Sequence, residues 1–346
     1  MINRVTKMFG IRYPIVLSGM NYVATPKLAA AVSNAGGLGM IAIGSLNIDD
    51  TRRVIREVRT LTDKPFGVNV SLRLPSATEK AELLLEEKVP IINFSLGKGD
   101  WIVKAAHEYG GKVIATVVKG KHAKKAEEFG ADGLLVTGHE AGAHGGSITS
   151  LVLVPDIVDS VNIPVIAAGG FADGRGLAAA LALGAEGIAM GTRFMVSQES
   201  PLHEYYKELS LKKSVYDTLY SDKFDGMDSR TMDTEAARRK LEEGINFYAA
   251  FKSSRVRAKE LNIPYVKLML ETLTSGWKQT MYQARMAEGV EDVRLAIQEG
   301  NKERGTLPVG QAVGLIKDIP TVSELIERIV AEAYSAEKKI SDQMSQ

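Results

Sequence analysis

Residues 164–194 read PVIAAGGFADGRGLAAALALGAEGIAMGTRF, and this stretch decides the fold. An apolar run ends at Gly169 and Gly170, a segment of helical period follows, and a second apolar run ends at Gly191 and Thr192. Strands that are apolar on both faces are typical of a parallel sheet covered by helices. The stretch therefore predicts a β/α/β unit whose two strands end in glycine.

The same alternation of short apolar runs and helical segments extends back to the N-terminus. The eight strand candidates, including the two above, begin at Tyr13, Leu38, Phe66, Ile91, Lys112, Gly133, Pro164 and Gly187. Eight β/α repeats at this spacing predict an α/β fold, the (β/α)8 TIM barrel. An open, doubly wound sheet is the structural alternative.

The alternation stops after about residue 200. We expect residues 1–205 and 288–346 to form the barrel with its closing C-terminal helices. Residues 206–287 show helical or irregular patterns and no good strand, so we expect an inserted, mostly helical subdomain that covers the active site. The apolar face of the last predicted helix, which would return to the barrel, carries Val322, Leu325, Ile326 and Ile329.

Composition excludes several classes of function. The chain has 346 residues, a formal net charge of +1 and no block of like charges, which argues against nucleic acid as the main partner. The absence of cysteine excludes disulfides, thiolate zinc sites and a cysteine nucleophile. No apolar run approaches the roughly 18 residues of a membrane span, and no signal peptide is evident. We expect a cytoplasmic enzyme with a small-molecule substrate and no membrane partner, and a homodimer is compatible with the sequence.

The ends of strands seven and eight have the composition of a phosphate site. Barrels often bind phosphate with the loops after these strands, through backbone N–H groups and a helix N-terminus. Gly169, Gly170, Gly191 and Thr192 would supply those groups, although glycines that only form tight turns are the alternative. No G-x-G-x-x-G joins a strand to a helix, which favours a mononucleotide over a Rossmann-bound dinucleotide.

A flat ring system would suit the small apolar strand ends. Gly19, Met20 and Ala168 would form the floor beneath it. Asn69 interrupts the apolar strand FGVNVSL, and a buried amide must find partners. Those partners are either polar atoms of a bound ring system or substrate, or a neighbouring strand end.

Residues 137–147, TGHEAGAHGGS, place two histidines and one carboxylate after the sixth strand. His144 is the candidate catalytic residue because imidazole takes or gives a proton near neutral pH. Gly142 would let the loop fold over the ring, and Glu140 would orient a helix N-terminus or His144, or cap the loop. For His139 we favour a structural role.

Other candidate groups point to no further chemistry. The histidines lack metal-ligand spacing such as H-E-x-x-H, so no metal is predicted. His107, His122 and His203 fall in charged helical segments and are expected to be solvated. Lys98 and Trp101 would form a lid or begin a helix, and we favour a helix start with Asp100 as its N-cap.

The segments PVIAAGGFADGRGLAAALALGAEGIAMGTRF, HEAGAHGG, FGVNVSL and VGQAVGLIKDIPTVSELI resemble the nitronate monooxygenase family, also called the 2-nitropropane dioxygenase family. This family includes FMN-dependent enoyl-ACP reductases and NADH:quinone reductases. The resemblance covers nearly the whole chain and implies FMN, a TIM barrel and an added helical domain.

The resemblance also implies roles for individual residues. The FMN phosphate would lie at Gly169, Gly170, Gly191 and Thr192, and the flavin ring beside Gly19, Met20 and Asn69. We also count Glu140, Gly142 and Ala168 as cofactor-binding, and His144 matches the family's histidine. Ala143 departs from the family's E-A-G-G-H-x-G pattern, and Ser18-Gly19-Met20-Asn21 departs from A-P-M-x-G, the sequence often found after strand one in nitronate oxidisers.

Two functions follow from the resemblance. The first is oxidation of alkyl nitronates, with His144 as base or hydrogen-bond donor over the flavin. The second is reduction of enoyl thioesters or quinones, with NADH or NADPH as a transient hydride donor. A phosphosugar or nucleotide-monophosphate enzyme on the same barrel is a third reading, although inosine-phosphate dehydrogenases need a cysteine that this chain lacks. A protein that only binds flavin or phosphate is a fourth.

Overall fold

The computed structural model describes residues 1–74, 76–243, 247–260, 262, 264–266 and 276–345. Eight parallel strands lie in the order β1-β8-β7-β6-β5-β4-β3-β2. Leu17 N–H donates to Leu38 O (2.9 Å) and Leu38 N–H donates to Ile15 O (2.9 Å), which joins β1 to β2. These bonds close the sheet, so the predicted (β/α)8 barrel is confirmed.

The strands match the eight sequence candidates in number and order. They are β1 (Ile15–Leu17), β2 (Gly39–Ala42), β3 (Phe66–Ser71), β4 (Ile91–Ser95), β5 (Lys112–Val117), β6 (Gly133–Thr137), β7 (Val165–Ala168) and β8 (Gly187–Met190). Nearly all of their residues are buried, because the barrel interior covers one face and the helices cover the other.

The helices of the barrel lie between and after these strands. They are α1 (Arg4–Phe9), α2 (Pro26–Asn34), α3 (Ile48–Leu61), α4 (Ala77–Glu86), α5 (Asp100–Glu108), α6 (Gly120–Glu128), α7 (Ser150–Val158), α8 (Gly174–Ala182) and α9 (Thr192–Met195). Local sequence explains their starts. Thr25 is the N-cap of α2 with Pro26 in its first turn, and the Asp173 side chain accepts from Gly176 N–H to cap α8.

The C-terminal segment returns to the barrel as predicted. It contains α13 (Trp277–Glu299), a 3-10 helix (Gln311–Leu315) and α14 (Val322–Met344). Helix α14 packs on α8 and α2 through the predicted apolar face. At this contact Gly174 lies so close to α14 that an added Cβ would be 2.3 Å from Ile329 O.

The inserted region contains a hairpin that the sequence analysis missed. After α10 (Glu204–Leu211), strands β9 (Thr218–Ser221) and β10 (Ser229–Met232) pair antiparallel, and α11 (Glu235–Glu242) and α12 (Phe247–Glu260) follow. The expectation of no strand here was therefore wrong. The Asp225-Gly226 dipeptide between β9 and β10 is a turn signal, and the strands are too short to show a clear alternation.

The predicted domain boundaries fall inside helices. Residues 205 and 206 lie in α10, and residues 287 and 288 lie in α13, which runs without a break from the insert to the barrel. No helix in the described part of the chain is both long enough and apolar enough to cross a membrane.

Candidate active site

A cavity of about 790 Å³ opens at the carboxyl ends of the barrel strands. Its volume lies in the upper part of the usual range for small-molecule sites, about 300–1,000 Å³. Of the eleven predicted site residues, the ten that line the cavity are Gly19, Met20, Asn69, Gly142, His144, Ala168, Gly169, Gly170, Gly191 and Thr192. Glu140 is the exception. These ten residues come from five strand ends, and residues at or after all eight strands line the cavity.

The loops after β7 and β8 present free donors to the cavity. Gly169 and Gly170 have φ values of 95° and 85°, which favour glycine. Among the described residues, no group accepts a hydrogen bond from the N–H of Gly169, Gly170 or Gly191. Thr192 Oγ1 accepts from Gly310 N–H (2.9 Å), so the hydroxyl proton stays available. Since α9 is a single turn, these local groups rather than a long helix dipole would hold an anion.

A row of polar side chains crosses the ends of β3, β4 and β5. Asn69 Nδ2 donates to Asn93 Oδ1 (2.6 Å), and Asn93 Nδ2 donates to Thr116 Oγ1 (2.9 Å). Asn69 therefore bonds a neighbouring strand end, one of its two predicted partners. A Cβ on Gly19 would lie 2.5 Å from Asn69 Cβ, so only glycine lets β1 approach this row. Ser71 Oγ, which also lines the cavity, is buried and has no hydrogen-bond partner within the described residues.

Three non-glycine residues on the cavity wall have left-handed backbone conformations. Tyr22 has φ 65°, Leu96 φ 55° and Ala143 φ 55°. Such conformations cost on the order of 1–2 kcal/mol and persist only where the surroundings impose them. Ala143, at the departure from the family pattern, thus occupies a position that glycine would fill without strain.

The inserted hairpin holds the loop after β6. Ala143 N–H donates to Arg230 O (3.0 Å), and Arg230 N–H donates to Ala143 O (2.9 Å), so β10 pairs with the residue before His144. Arg230 is 4% exposed, and its guanidinium donates to His139 O (3.2 Å) and Thr218 Oγ1 (2.9 Å). Burial lowers the pKa of Arg230 from its ordinary value. Its two acceptors, one carbonyl and one hydroxyl oxygen, compensate part of the desolvation.

The hairpin also supplies a partner for His144. Nε2 of His144 lies 2.7 Å from Asp225 Oδ2, in the loop between β9 and β10. An ionised carboxylate only accepts, so this contact places the proton of the neutral imidazole on Nε2. Nδ1 has no partner among the described residues and is the nitrogen left for chemistry. Asp225 Oδ1 accepts from Met227 N–H (3.1 Å), which fixes the carboxylate.

Glu140 and His139 shape the loop rather than the cavity surface. Both carboxylate oxygens of Glu140 accept from Ser150 N–H (3.1 and 2.9 Å) at the start of α7. This is one of the three roles considered for Glu140. His139 Nδ1 lies 2.9 Å from Gly146 O, and its ring packs edge-on against Tyr220 at 4.6 Å. Neither residue is among those that line the cavity.

Residues of the insert and of α13 complete the wall, and sequence reasoning missed them. They are Asp225, Met227, Met286, Gly289, Val290, Val293 and Ile297. The only local signal was the Asp225-Gly226 turn. Asp225 and His144 are 81 positions apart in sequence, so no spacing rule would have joined them.

The other candidate residues from the sequence analysis make local structural contacts. The N-cap of α5 is Gly99, one residue before the predicted Asp100. His107 Nε2 lies 2.9 Å from Asp132 Oδ2, and the His203 ring accepts from Tyr205 N–H as the N-cap of α10. The part of the chain that the structure describes contains no group of three or more His, Cys, Asp or Glu side chains that could hold a metal ion.

A family model described as nitronate monooxygenase matches residues 3–83 and 76–332. A Rhodococcus jostii protein named (3aS,4S,5R,7aS)-5-hydroxy-7a-methyl-1-oxo-octahydro-1H-indene-4-carboxyl-CoA dehydrogenase is 38% identical over 95% of this chain and 94% of its own length. A probable nitronate monooxygenase from Staphylococcus aureus is 36% identical over 65% of this chain and 76% of its own.

Solved structures agree with these sequence matches. FabK from Thermotoga maritima superposes with a TM-score of 0.85 at 40% identity, over 99% of each chain. A nitroalkane oxidase from Streptomyces ansochromogenes superposes with a TM-score of 0.77 at 25% identity, over 98% of this chain and all of the other.

Proposed function

The chain belongs to the nitronate monooxygenase family of FMN-dependent oxidoreductases, and we propose that it acts at a carbon activated by a neighbouring carbonyl or nitro group. The observation that carries the proposal is the contact between His144 and Asp225. It places an oriented imidazole, with one free nitrogen, on the wall of a cavity that also has donors for a phosphate.

The residues present fit FMN. The unpaired N–H groups of Gly169, Gly170 and Gly191 and the Thr192 hydroxyl form a cradle for a phosphate. The small strand ends would accept the flat ring, and the unpaired Ser71 Oγ would bond one of its polar edges. When bound, FMN supplies the two-electron chemistry of the reaction.

His144 would move the proton. In the reducing direction the imidazolium gives the Nδ1 proton to Cα of an unsaturated thioester while Cβ gains a hydride. The C=C bond becomes a single bond, and NADH or NADPH is oxidised to supply the hydride. In the reverse direction neutral His144 takes the Cα proton at Nδ1. Asp225 keeps Nε2–H, and with it the orientation of the imidazole, in place in either direction.

Between the two substrate classes, we favour a thioester. The relatives that match nearly the full length include one named as a carboxyl-CoA dehydrogenase, whereas the S. aureus match spans about two thirds of this chain. The cavity also extends well beyond the His144 loop, to residues that follow β4 and β5. A cavity of this extent suits an extended thioester substrate better than a small nitronate.

Oxidation of an alkyl nitronate is the second candidate. The matching family model and the nitroalkane oxidase structure support it. His144 would then take the α-proton of a nitroalkane or hold an oxygen of the nitronate. The departure at Ser18-Gly19-Met20-Asn21 lies on the cavity wall, so it falls where substrate choice would be made.

An anaerobic stopped-flow experiment on the flavin-loaded protein separates these candidates. NADH, NADPH, ethyl nitronate and butyryl-CoA are each mixed with the enzyme, and crotonyl-CoA with the reduced enzyme, while flavin absorbance is followed. We expect bleaching by a nicotinamide nucleotide and recovery with crotonyl-CoA, or direct bleaching by butyryl-CoA. Bleaching by nitronate alone would instead establish the second candidate, and a protein that takes up no FMN would contradict both.

A further inference from the structure

Part of the cavity wall, formed at β4, β5 and α6, takes no part in the proposed chemistry at His144. Its apolar residues include Phe94, Val117, Val118, Ala126 and Phe129. Phe94 and Phe129 pack with ring centroids 6.1 Å apart. We refer to these five residues as the side arm. Such a wall accepts an uncharged chain, but it provides no hydrogen-bond or ionic partner for a charged group.

Positive charge collects where the side arm reaches the surface. Lys98, His122 and Lys125 line the cavity there, and Lys119 and Lys121 flank the first residue of α6. We refer to these five residues as the basic rim.

The positive charge of the basic rim is only partly neutralised. Lys98 pairs with Asp100 (3.0 Å) and Lys125 with Glu128 (2.9 Å). Within the described residues, Lys119 and Lys121 have no carboxylate partner. Partial burial and the charges of Lys121 and Lys119 lower the pKa of His122, which shows that the cations act on one another. A rim of like charges at the mouth of a cavity attracts an anion.

We propose that the side arm holds the pantetheine chain of a thioester substrate and that the basic rim binds the phosphate at the end of that chain. The inference rests on the proposed function, and it adds the part of the cavity that recognises the substrate. Pantetheine is long, narrow and uncharged, and its phosphate is a strong anion, so an apolar wall with exposed cations beside it suits both chemical groups. A dinucleotide would instead place pyrophosphate against apolar walls that lack a buried cation.

The test compares two thioesters that differ in the phosphate-bearing tail. They are crotonyl-CoA and S-crotonyl-N-acetylcysteamine, which lacks every phosphate. The variant is Lys98→Gln/Lys125→Gln, made in the flavin-loaded enzyme. The matched control is Lys124→Gln, because Lys124 is exposed on the same helix, carries the same charge and does not line the cavity.

We expect the double variant to raise KM for crotonyl-CoA roughly tenfold, the equivalent of one lost hydrogen bond between charged groups. KM for S-crotonyl-N-acetylcysteamine should stay within about twofold of its value in the unmodified enzyme. Lys124→Gln should change KM for neither thioester. An equal effect on both thioesters, or an effect on KM for NADPH instead, would overturn the assignment. If the double variant raises KM for an acyl-carrier-protein thioester as strongly as for crotonyl-CoA, the basic rim recognises the phosphopantetheine that both substrates contain.

A binding measurement keeps this inference separate from the proposed function. Calorimetry with free CoA and free pantetheine needs no turnover. If no thioester reacts but CoA still binds at least tenfold tighter than pantetheine, and the double variant removes the difference, the proposed reaction fails while the phosphate site stands. If CoA and pantetheine bind equally well, the phosphate site is wrong.

Discussion

At the scale of single residues, the proposed chemistry depends on one contact that spans two parts of the chain. His144 lies in the loop after β6, and Asp225 lies in the inserted hairpin, with 2.7 Å between Nε2 and Oδ2. Asp225 touches the imidazole on the side opposite Nδ1, so it acts through His144 as a positioning residue.

We predict that His144→Ala keeps the flavin and lowers turnover by about 10²-fold or more, the usual loss for a general acid or base. Asp225→Ala should lower kcat by roughly tenfold or more with little change in KM. Because both residues serve one proton transfer, the double variant should be no slower than His144→Ala alone. Steady-state kinetics of the three variants measure this coupling.

The control for Asp225 is Asp228→Ala. Asp228 is exposed in the same loop and does not line the cavity, so its loss should leave kcat unchanged. Additive losses in kcat for His144→Ala and Asp225→Ala would show that Asp225 does not act through the imidazole.

A second prediction concerns the phosphate cradle. Gly169→Ala would place a Cβ 3.0 Å from Gly138 O and 3.2 Å from Ala141 N, at a φ of 95°. We expect FMN affinity to fall roughly tenfold or more, as for one lost hydrogen bond to a charged group. Gly130→Ala, at φ 91° and with its nearest neighbour at 3.6 Å, imposes similar backbone strain away from the cavity. Fluorescence titration with FMN should therefore separate the two variants, and equal affinities would argue against a phosphate at Gly169.

At the scale of secondary-structure elements, the barrel was predictable and the hairpin was not. The strands of the barrel are apolar on both faces, and most of them end at or just before glycine or a small residue, so their pattern is local. Strands β9 and β10 are four residues long, and β10 is buried against the loop after β6 rather than alternating between solvent and core. Its stabilising contacts are tertiary, and a local pattern cannot report them.

The candidate site also divides into residues that the sequence could predict and residues that it could not. Ten cavity residues, five of them glycines, could be identified from the strand ends and the loops after them, because barrel topology alone brings strand ends together. Glu140 was harder to place, because its carboxylate points to Ser150 at the start of α7, a choice that depends on side-chain geometry. Asp225 came from an element whose position no periodicity encodes.

A third prediction belongs to the start of α14. Arg328, with Arg193 also nearby, holds the pKa of Asp318 below its ordinary value of 3.8, although burial acts in the opposite direction. A lowered carboxyl pKa stabilises the folded state above that ordinary value, and the contribution is lost as pH falls through the folded-state pKa. Asp318 is 44% exposed, so we expect Asp318→Asn to cost no more than about 1 kcal/mol at pH 7.

Urea denaturation at two pH values measures this contribution. The difference in unfolding free energy between the unmodified protein and Asp318→Asn should shrink at about pH 3, where the carboxyl is increasingly protonated. Asp342→Asn, at the exposed C-terminal end of α14, should show no difference at either pH. A difference for Asp318→Asn that is independent of pH would mean that the charge of Asp318 is not what stabilises this contact.

At the scale of the whole molecule, the insert and the C-terminal segment have different structural roles. The insert covers the cavity and supplies Asp225, whereas α14 completes the outer ring of helices against α8 and α2. Glu332 on α14 accepts from Gly174 N–H (2.9 Å), so the last helix also satisfies the first turn of α8. That first turn follows directly from the glycines of the phosphate cradle, which links closure of the fold to cofactor binding.

Truncation tests this division of duties. Removing residues 320–346 would expose the apolar face of α14's partners and delete, besides the small Ala333, the large buried side chains of Val322, Leu325, Ile326, Ile329 and Val330. At about 1.5–3 kcal/mol each, their burial is comparable with the whole stability of a domain, about 5–15 kcal/mol. We therefore expect the shortened chain to show no cooperative thermal transition and to take up no FMN. Removing only residues 337–346 deletes a segment that is exposed from 337 to 345, and the melting temperature and flavin content should be unchanged. A cooperative, flavin-binding protein after the longer truncation would show that the barrel closes without α14.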